Sequence, residues 1–353
     1  MTKSNDDRSA TLGIDPGAGA IKIYGAAGGI QLPSIVSVDG GRTLSRMAGL
    51  TQAKPPLHVR TRAGSFWLGN RAPDWGRLVE NLDYERFAGS PELEALLCGA
   101  LSAYADLHGP LPELADATVG LPLEALTGTQ EETVGTGGSV RRWLVGEHAW
   151  EADGRPHRIA FSDVRVSSQP AGALFDFLLD ATGAFVPARK TLFGKEIGVV
   201  SVGMASVELL VVKAGAPVNR FTAGQSSGVR RLLELASPDG LYGLGELDTL
   251  LRTGKLDVAA ALPIWGREVT GLIERRWGRE FRRFALVIAV GGGVLLLRDA
   301  LLARFGGKAF VPDDPVLATA RGLYKIGRMQ ARRRRAGDAD GAEGGGDDQA
   351  RAA

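Results

Sequence analysis

Three glycine turns carry the residue types that could handle a polyphosphate. The first is Gly13-Ile14-Asp15-Pro16-Gly17-Ala18-Gly19-Ala20-Ile21-Lys22. Gly17 and Gly19 flank Ala18 and let backbone amides approach an anion with no Cβ in the way. Lys22 alternates with Ile21 and Ile23, so it points off the apolar face toward the open side of the turn. That is a place for a charge on a β- or γ-phosphate. Asp15 could hold Mg²⁺ through its waters, because Mg²⁺ prefers few carboxylates and retained water. A lone short motif also matches an ordinary hairpin with a solvated lysine; two further turns weigh against that plainer reading.

The second turn lies in Ser201-Val202-Gly203-Met204-Ala205-Ser206-Val207-Glu208. Gly203, Met204 and Ser206 offer backbone amides and a hydroxyl. The third, Gly291-Gly292-Gly293, follows the apolar run Val287–Val290 and precedes a helical stretch, where amides and close packing suit a nucleoside. The first two turns lead straight into another apolar run, so they are expected to be β-hairpins rather than strand-to-helix loops. Two such hairpins facing each other would grip a polyphosphate from both sides. Gln169 precedes Pro170 at a helix start, where its amide could orient an attacking water. The plainer reading there is a polar surface residue opening a helix.

The elements that must position these turns come in two similar sets. Thr11–Asp15 and Ala20–Tyr24 read as one hairpin, Ile197–Val202 and Val207–Lys213 as another. Ser90-Pro91 opens a helix whose apolar residues Leu93, Leu96, Leu97, Ala100, Leu101 and Tyr104 share one face. Phe284–Val290 has the near-continuous apolar character of a strand buried on both faces. Val258 to Trp277 and Val294–Phe305 read as helices. Thr127–Ser139, rich in Gly, Thr and Glu, is expected to be a loop, with a strand over Arg142–Glu151. Each half thus repeats a hairpin, further strands and then helices. The expected fold class is α/β, a duplicated two-domain architecture about an interdomain cleft. The expected borders are a disordered leader at 1–10, one domain at 11–168 and a second at 169–311. A last helix at about 312–328 would pack back on the first domain, followed by a disordered tail at 331–353.

Composition narrows the function. The chain has 353 residues, 44% hydrophobic and 23% charged, the balance of a soluble globular protein of two ordinary domains. A net charge of +2 gives no strong pull toward nucleic acid or membrane. Arg332–Arg335 is a basic run with acids soon after it, read first as a solvated tail. Cys98 is the single cysteine, so no intramolecular disulfide and no cysteine-based metal site can form. His58, His108, His148 and His157 lack metal-ligand spacing. No secretory signal and no apolar run long enough for a membrane span are evident, which fits a cytoplasmic protein.

The chain resembles the actin-like ATPases of bacteria and archaea, in particular the plasmid-segregation, ParM-type proteins. The phosphate-1 motif of that family looks like Gly13–Lys22, the phosphate-2 motif like Ser201–Glu208, and the adenosine motif like Val290–Gly293. Further stretches look familial: Trp67–Asn70, Val119–Pro122, Gln169–Ala173 and Pro312–Tyr324. The resemblance covers about residues 11–328 and implies an actin-like (ribonuclease H-like) fold. It implies ATP or GTP with Mg²⁺, and self-assembly into filaments driven by the nucleotide, with plasmid DNA engaged through a separate adaptor. It assigns Asp15 to the metal's waters, Lys22 to phosphates and Gln169 to the attacking water. Gly17, Ala18, Gly19, Gly203, Met204, Ser206 and Gly291–Gly293 would contact the nucleotide. One departure stands out: the family's phosphate-2 motif usually opens with Asp, and here that place is Ser201. Val207 and Glu208 also stand where Thr and Asp are common. Losing a carboxylate beside the metal implies slow or lost hydrolysis with binding retained. A small-molecule kinase on the same fold needs a catalytic Asp near the cleft, and none is evident after the second hairpin. A non-polymerising scaffold that uses nucleotide as a structural ligand is the third reading.

Overall fold

The computed structural model describes residues 10–40, 53–81, 83–127 and 130–343. Its first sheet is built from ten strands: β1 (Ala10–Pro16), β2 (Ala20–Gly25), β3 (Gly28–Pro33), β4 (Val36–Asp39), β5 (Leu57–Thr61), β6 (Gly64–Leu68), β7 (Gly76–Val79), β8 (Leu114–Leu121), β9 (Gly146–Ala152) and β10 (Arg155–Ser168). They run in the order β3-β2-β1-β8-β10-β9-β5-β6-β4-β7. The second sheet holds β11 (Ile197–Val202), β12 (Val207–Lys213), β13 (Ala216–Pro217), β14 (Ala223–Gln225), β15 (Leu286–Val290) and β16 (Ala309–Phe310), ordered β13-β12-β11-β15-β16 with β14 on β12. Helices are α1 (Pro91–His108), α2 (Gln130–Leu144), α3 (Gln169–Leu178), α4 (Pro187–Lys190), α5 (Val229–Ala236), α6 (Leu244–Arg252), α7 (Leu262–Trp277), α8 (Val294–Phe305) and α9 (Ala318–Glu343).

Both sheets start the same way. β1 pairs antiparallel with β2 and parallel with β8; β11 pairs antiparallel with β12 and parallel with β15. The expected hairpins and duplicated α/β architecture are therefore present. The first sheet is extended by β10, a 14-residue strand with an irregularity at Phe161/Asp163. Its early half pairs with β9 and its late half with β8, carrying the sheet into the β4–β7 strands.

Strand alternation decides what each buried residue packs against. Leu12 and Ile14 of β1 enter a core with α1, whose start is fixed by Ser90 accepting from Leu93 N at 3.4 Å and by Pro91 in the first turn. The other face of β1 meets α9, where a Cβ on Gly13 would lie 2.2 Å from the Ala320 carbonyl oxygen. β11 is buried at every position because its sheet is covered twice. Val200 and Val202 pack with α5, α7 and α8; Ile197 and Val199 pack with Ala173, Leu174, Phe177 and Leu178 of α3.

The two halves join where α3 crosses α9. A Cβ on Gly322 would sit 1.7 Å from the Gly172 carbonyl oxygen, so the backbones touch. One turn on, buried Asp176 is held by Arg321 at 2.8 and 2.6 Å and by Lys325 at 2.7 Å.

Several expectations need correction. Thr127–Ser139 is not a loop: α2 covers 130–144, and the following strand starts at Gly146 rather than Arg142. Val140 and Leu144 are buried, and Trp143 Nε1 donates to the Phe87 carbonyl at 2.8 Å, so packing overrides the poor helix propensity of the glycines. The last helix starts at Ala318 and runs to Glu343, well past 328, so 331–343 is helical rather than a disordered tail. Arg334 anchors the extension on Asp116 at 2.6 Å and Asp163 at 3.4 Å. Residues 344–353 and 1–9 lie outside the described residues, while Ala10 already belongs to β1.

Candidate functional site: a cleft between two hairpin turns

The register of the first hairpin makes its site. Asp15 of β1 lies directly opposite Lys22 of β2, so both side chains leave the same face. Lys22 Nζ donates to Asp15 Oδ2 at 2.9 Å. Gln169, the first residue of α3, donates its amide to Asp15 Oδ1 at 2.8 Å. Asp15 is 4% exposed yet lines the cleft, so three predicted residues 154 positions apart form one polar cluster.

The turn between them is held from behind. Ser34 Oγ donates to the Gly17 carbonyl at 2.8 Å and Ser34 N to the Gly19 carbonyl at 3.1 Å. Carbonyls engaged from outside leave the amide edge of this first turn to the cleft. In the second hairpin the start of α5 does this work: Val229 N donates to the Gly203 carbonyl and Arg230 N to that of Met204, both at 2.9 Å. In this second turn, by contrast, the Gly203 amide donates to the Ser206 carbonyl at 2.9 Å, so the Gly203 amide expected for phosphate is already taken. The two turns meet, since a Cβ on Gly19 would fall 2.8 Å from the Met204 Cβ.

The third turn closes the site. Gly291 has φ +97°, and a Cβ there would be 2.4 Å from the Val202 carbonyl oxygen. A Cβ on Gly293 would strike the Val202 side chain at 2.3 Å, while one on Gly292 meets open space. Gly291 and Gly293 therefore serve packing against the end of β11, and Gly292 faces the cavity.

A cavity of about 320 Å³ results, within the ordinary range of small-molecule sites. Asp15, Gly17, Ala18, Gly19, Lys22, Gln169, Gly203, Met204, Ser206 and Gly291–Gly293, all predicted, line it. Ser201 lines it too. The lining acids are Asp15 and Asp248, and Asp248 of α6 is tied to Arg252 at 2.8 Å.

Sequence reasoning missed three features. Arg86 lies in the short turn Tyr84–Ala88 and reaches the cleft floor, where Nη2 donates to the Pro16 carbonyl at 3.2 Å. Burial lowers its pKa from the ordinary arginine value. Tyr84 lines the cavity and donates to Glu124; burial and that hydrogen bond raise its pKa well above the phenol value. Glu208 sits opposite Ser201 across the second hairpin and is 1% exposed. It accepts from Leu123 N, and burial pushes its carboxyl up to about 8.

The donor set fits a magnesium nucleotide in kind. Asp15 is a single carboxylate that suits an ion keeping its waters, and the paired glycine turns suit phosphate oxygens. The buried Arg86 Nε has no hydrogen-bond partner, an unmet demand that an anion would satisfy.

Residues 13–172 match the family model for the N-terminal domain of actin-like proteins. Among solved structures, the actin-like protein Alp7A is similar at TM-score 0.71 and 14% identity, over 94% of this chain and 100% of that one. A subunit of a 15-stranded ParM filament from Clostridium botulinum gives TM-score 0.67 and 21% identity, over 91% of this chain and 99% of that one. An archaeal actin homologue in complex with ADP gives TM-score 0.64 and 18% identity, over 92% and 99%. No curated protein matches the chain.

Proposed function

This chain carries an actin-like N-terminal domain on an actin-like fold, and from that premise we propose that it binds ATP or GTP with Mg²⁺ and polymerises in response. The observation that carries the reading is the meeting of the two hairpin turns, Gly19 against Met204, around one cavity with Asp15, Lys22 and Gln169 at its polar end. Lys22 and the amides of the first turn bind phosphates. Asp15 holds the waters of the metal, and Gln169 positions the attacking water. Gly292 and α6 flank the nucleoside. Family members in filaments, such as the Clostridium botulinum ParM, support self-assembly as the output, and the bound ADP of the archaeal homologue supports a nucleotide as input. Segregation of plasmid DNA through an adaptor is the role this implies, in the cytoplasm; no helix among the described residues is long and apolar enough to cross a membrane. The division into domains at 11–168 and 169–311, with the last helix returning to the first, belongs to the same proposal.

Hydrolysis is expected to be slow. Ser201 lines the cavity where the family's phosphate-2 motif usually has Asp, and the nearest acid on that hairpin, Glu208, is buried against Leu123. Among the described residues, a kinase reading finds no acceptor-activating Asp at the cavity beyond Asp15, since Asp248 is already engaged by Arg252.

Sedimentation and electron microscopy with ATP, GTP and a non-hydrolysable analogue test the proposal, together with phosphate release. Nucleotide-dependent filaments with slow release are expected. A monomer under every condition would remove the filament reading, failure to bind any purine triphosphate would remove the site, and release at the rate of an ordinary actin-like ATPase would remove the hydrolysis defect.

A further inference from the structure

Among the described residues, five charged side chains line the cleft: Asp15, Lys22, Arg86, Asp248 and Arg252. Four of them cancel in pairs, Asp15 with Lys22 at 2.9 Å and Asp248 with Arg252 at 2.8 Å. Arg86 is the fifth. It makes no ion pair with a carboxylate among the described residues, although it is only 7% exposed; Glu92 and Asp15 act on it from farther off. Its Nη1 and Nη2 donate to the backbone carbonyls of Asn81 at 3.3 Å and Pro16 at 3.2 Å, and its Nε is buried with no partner. A guanidinium cannot shed its proton to relieve this. A buried cation with no carboxylate in contact, only the more distant charges of Glu92 and Asp15, is costly unless an anion comes closer. The chain keeps this one in place with two carbonyls and with the Phe87 ring, whose centroid is 4.9 Å from its Cζ.

The position defines which anion. Pro16 is the residue immediately before the first turn, and it follows Asp15, on which Lys22 and Gln169 converge. Arg86 thus stands at the end of the cleft that the proposed function gives to the terminal phosphate, while Asp248 and Arg252 stand on α6, the element proposed to flank the nucleoside. Lys22 shares its charge with Asp15 at 2.9 Å, so a second cation at this end adds to what a terminal phosphate meets. With the nucleotide placed as in that reading, a triphosphate would reach this end of the cleft and a diphosphate would stop short of it.

We propose that Arg86 is a further phosphate ligand of this site, one that senses the terminal phosphate and makes the cleft prefer a nucleoside triphosphate over the diphosphate. The inference rests on the nucleotide-binding reading and adds to it the residue that tells the two nucleotide states apart. Arg86 binds through charge-assisted hydrogen bonds from Nε and its remaining N–H groups, and no bond is made or broken in the step.

The test is equilibrium binding of MgATP (as a non-hydrolysable analogue) and MgADP to wild type, Arg86→Gln and Arg86→Lys, with thermal unfolding of each. Arg86→Gln should weaken the triphosphate by about tenfold or more and the diphosphate by threefold or less. Arg86→Lys keeps a cation but cannot span both carbonyls, so its triphosphate-to-diphosphate ratio should fall by about threefold; it carries the test if the glutamine variant does not fold. Equal losses for both nucleotides, or no loss in either, would overturn the proposal while leaving nucleotide binding intact. Wild-type protein that binds neither nucleotide would take down the nucleotide reading itself, and Arg86's role with it.

Discussion

In the first hairpin, Pro16 pairs with Ile21 across residues 17–20; in the second, Val202 pairs with Val207 across residues 203–206. Loop length and register are therefore identical, and each residue of one hairpin has a counterpart in the other. Asp15 corresponds to Ser201 and Lys22 to Glu208. The first hairpin sets an acid and a base opposite each other and pairs them across the strands. The second sets a hydroxyl opposite a carboxyl, and that carboxyl turns away to the Leu123 amide. One backbone frame, used twice, thus presents a charged grip on one side of the cleft and an almost neutral one on the other. The lesson is that duplication fixes where side chains point, while residue identity at two positions decides which half handles charge.

The sharpest way to break this comparison is to neutralise the charged side. Lys22→Met removes a phosphate cation and leaves the nearly buried Asp15 without its ion pair. Truncating the cation of a buried charge pair across a binding interface, here lysine to phosphate, costs about 2–5 kcal/mol, so nucleotide affinity should fall by about a hundredfold. Isothermal titration checks this, and affinity within a factor of about three of wild type would mean that the turns, not the charge, do the binding.

The next test makes the neutral side resemble its counterpart. Ser201→Asp restores a carboxylate facing the cleft, and phosphate release should rise by about tenfold or more with little change in affinity. An unchanged rate would show that the slow step lies elsewhere than in the missing charge.

A smaller effect is expected where the halves touch above the cavity. Glu80, which follows β7 in sequence, accepts from Leu244 N at 2.8 Å and so caps α6 across the cleft. It is one residue from Asn81, whose carbonyl holds Arg86. Glu80→Ala should weaken triphosphate binding by about threefold, in line with the loss of one exposed cap, and should increase hydrogen exchange at the α6 amides. Protection of α6 identical to wild type would show that this contact does not hold the cleft shut.

Much of this site was legible in the sequence because its signals are local. Alternation at Ile21-Lys22-Ile23 revealed where the lysine points, and glycines at a strand end revealed the turns. The equal loop lengths could also have revealed the Ser201–Glu208 pairing, had the two hairpins been aligned residue by residue. Arg86 left no such signal. It lies in a short 3₁₀ turn without periodicity, and its meaning comes from a carbonyl 70 positions away. The helix over 130–144 was hidden for a related reason: Gly135, Gly137 and Gly138 speak for a loop, and only packing of Val140, Trp143 and Leu144 on distant residues makes them helical. The α9 extension depends likewise on Arg334 finding Asp116 and Asp163 on the first sheet.

The mildest change separates the two hairpins by protonation. Folding buries Glu208 and pushes its pKa from 4.5 to about 8. The unfolded chain gives up this proton near the lower value, while the native state keeps it until near the upper one. Between those pH values the native state binds more protons than the unfolded state, so this group lowers stability as pH rises. The slope is at most about 1.4 kcal/mol per pH unit. Glu208→Gln keeps an acceptor for Leu123 N and removes the titration. Its melting temperature should fall less than that of wild type between about pH 5.5 and 8, with nucleotide affinity at neutral pH unchanged, because a neutral carboxyl and an amide look alike to the cleft. Parallel melting curves would show that Glu208 is ionised in the folded protein. The second hairpin would then hold a charge after all, displaced one strand from Ser201, and the asymmetry between the two halves would be one of position rather than of charge.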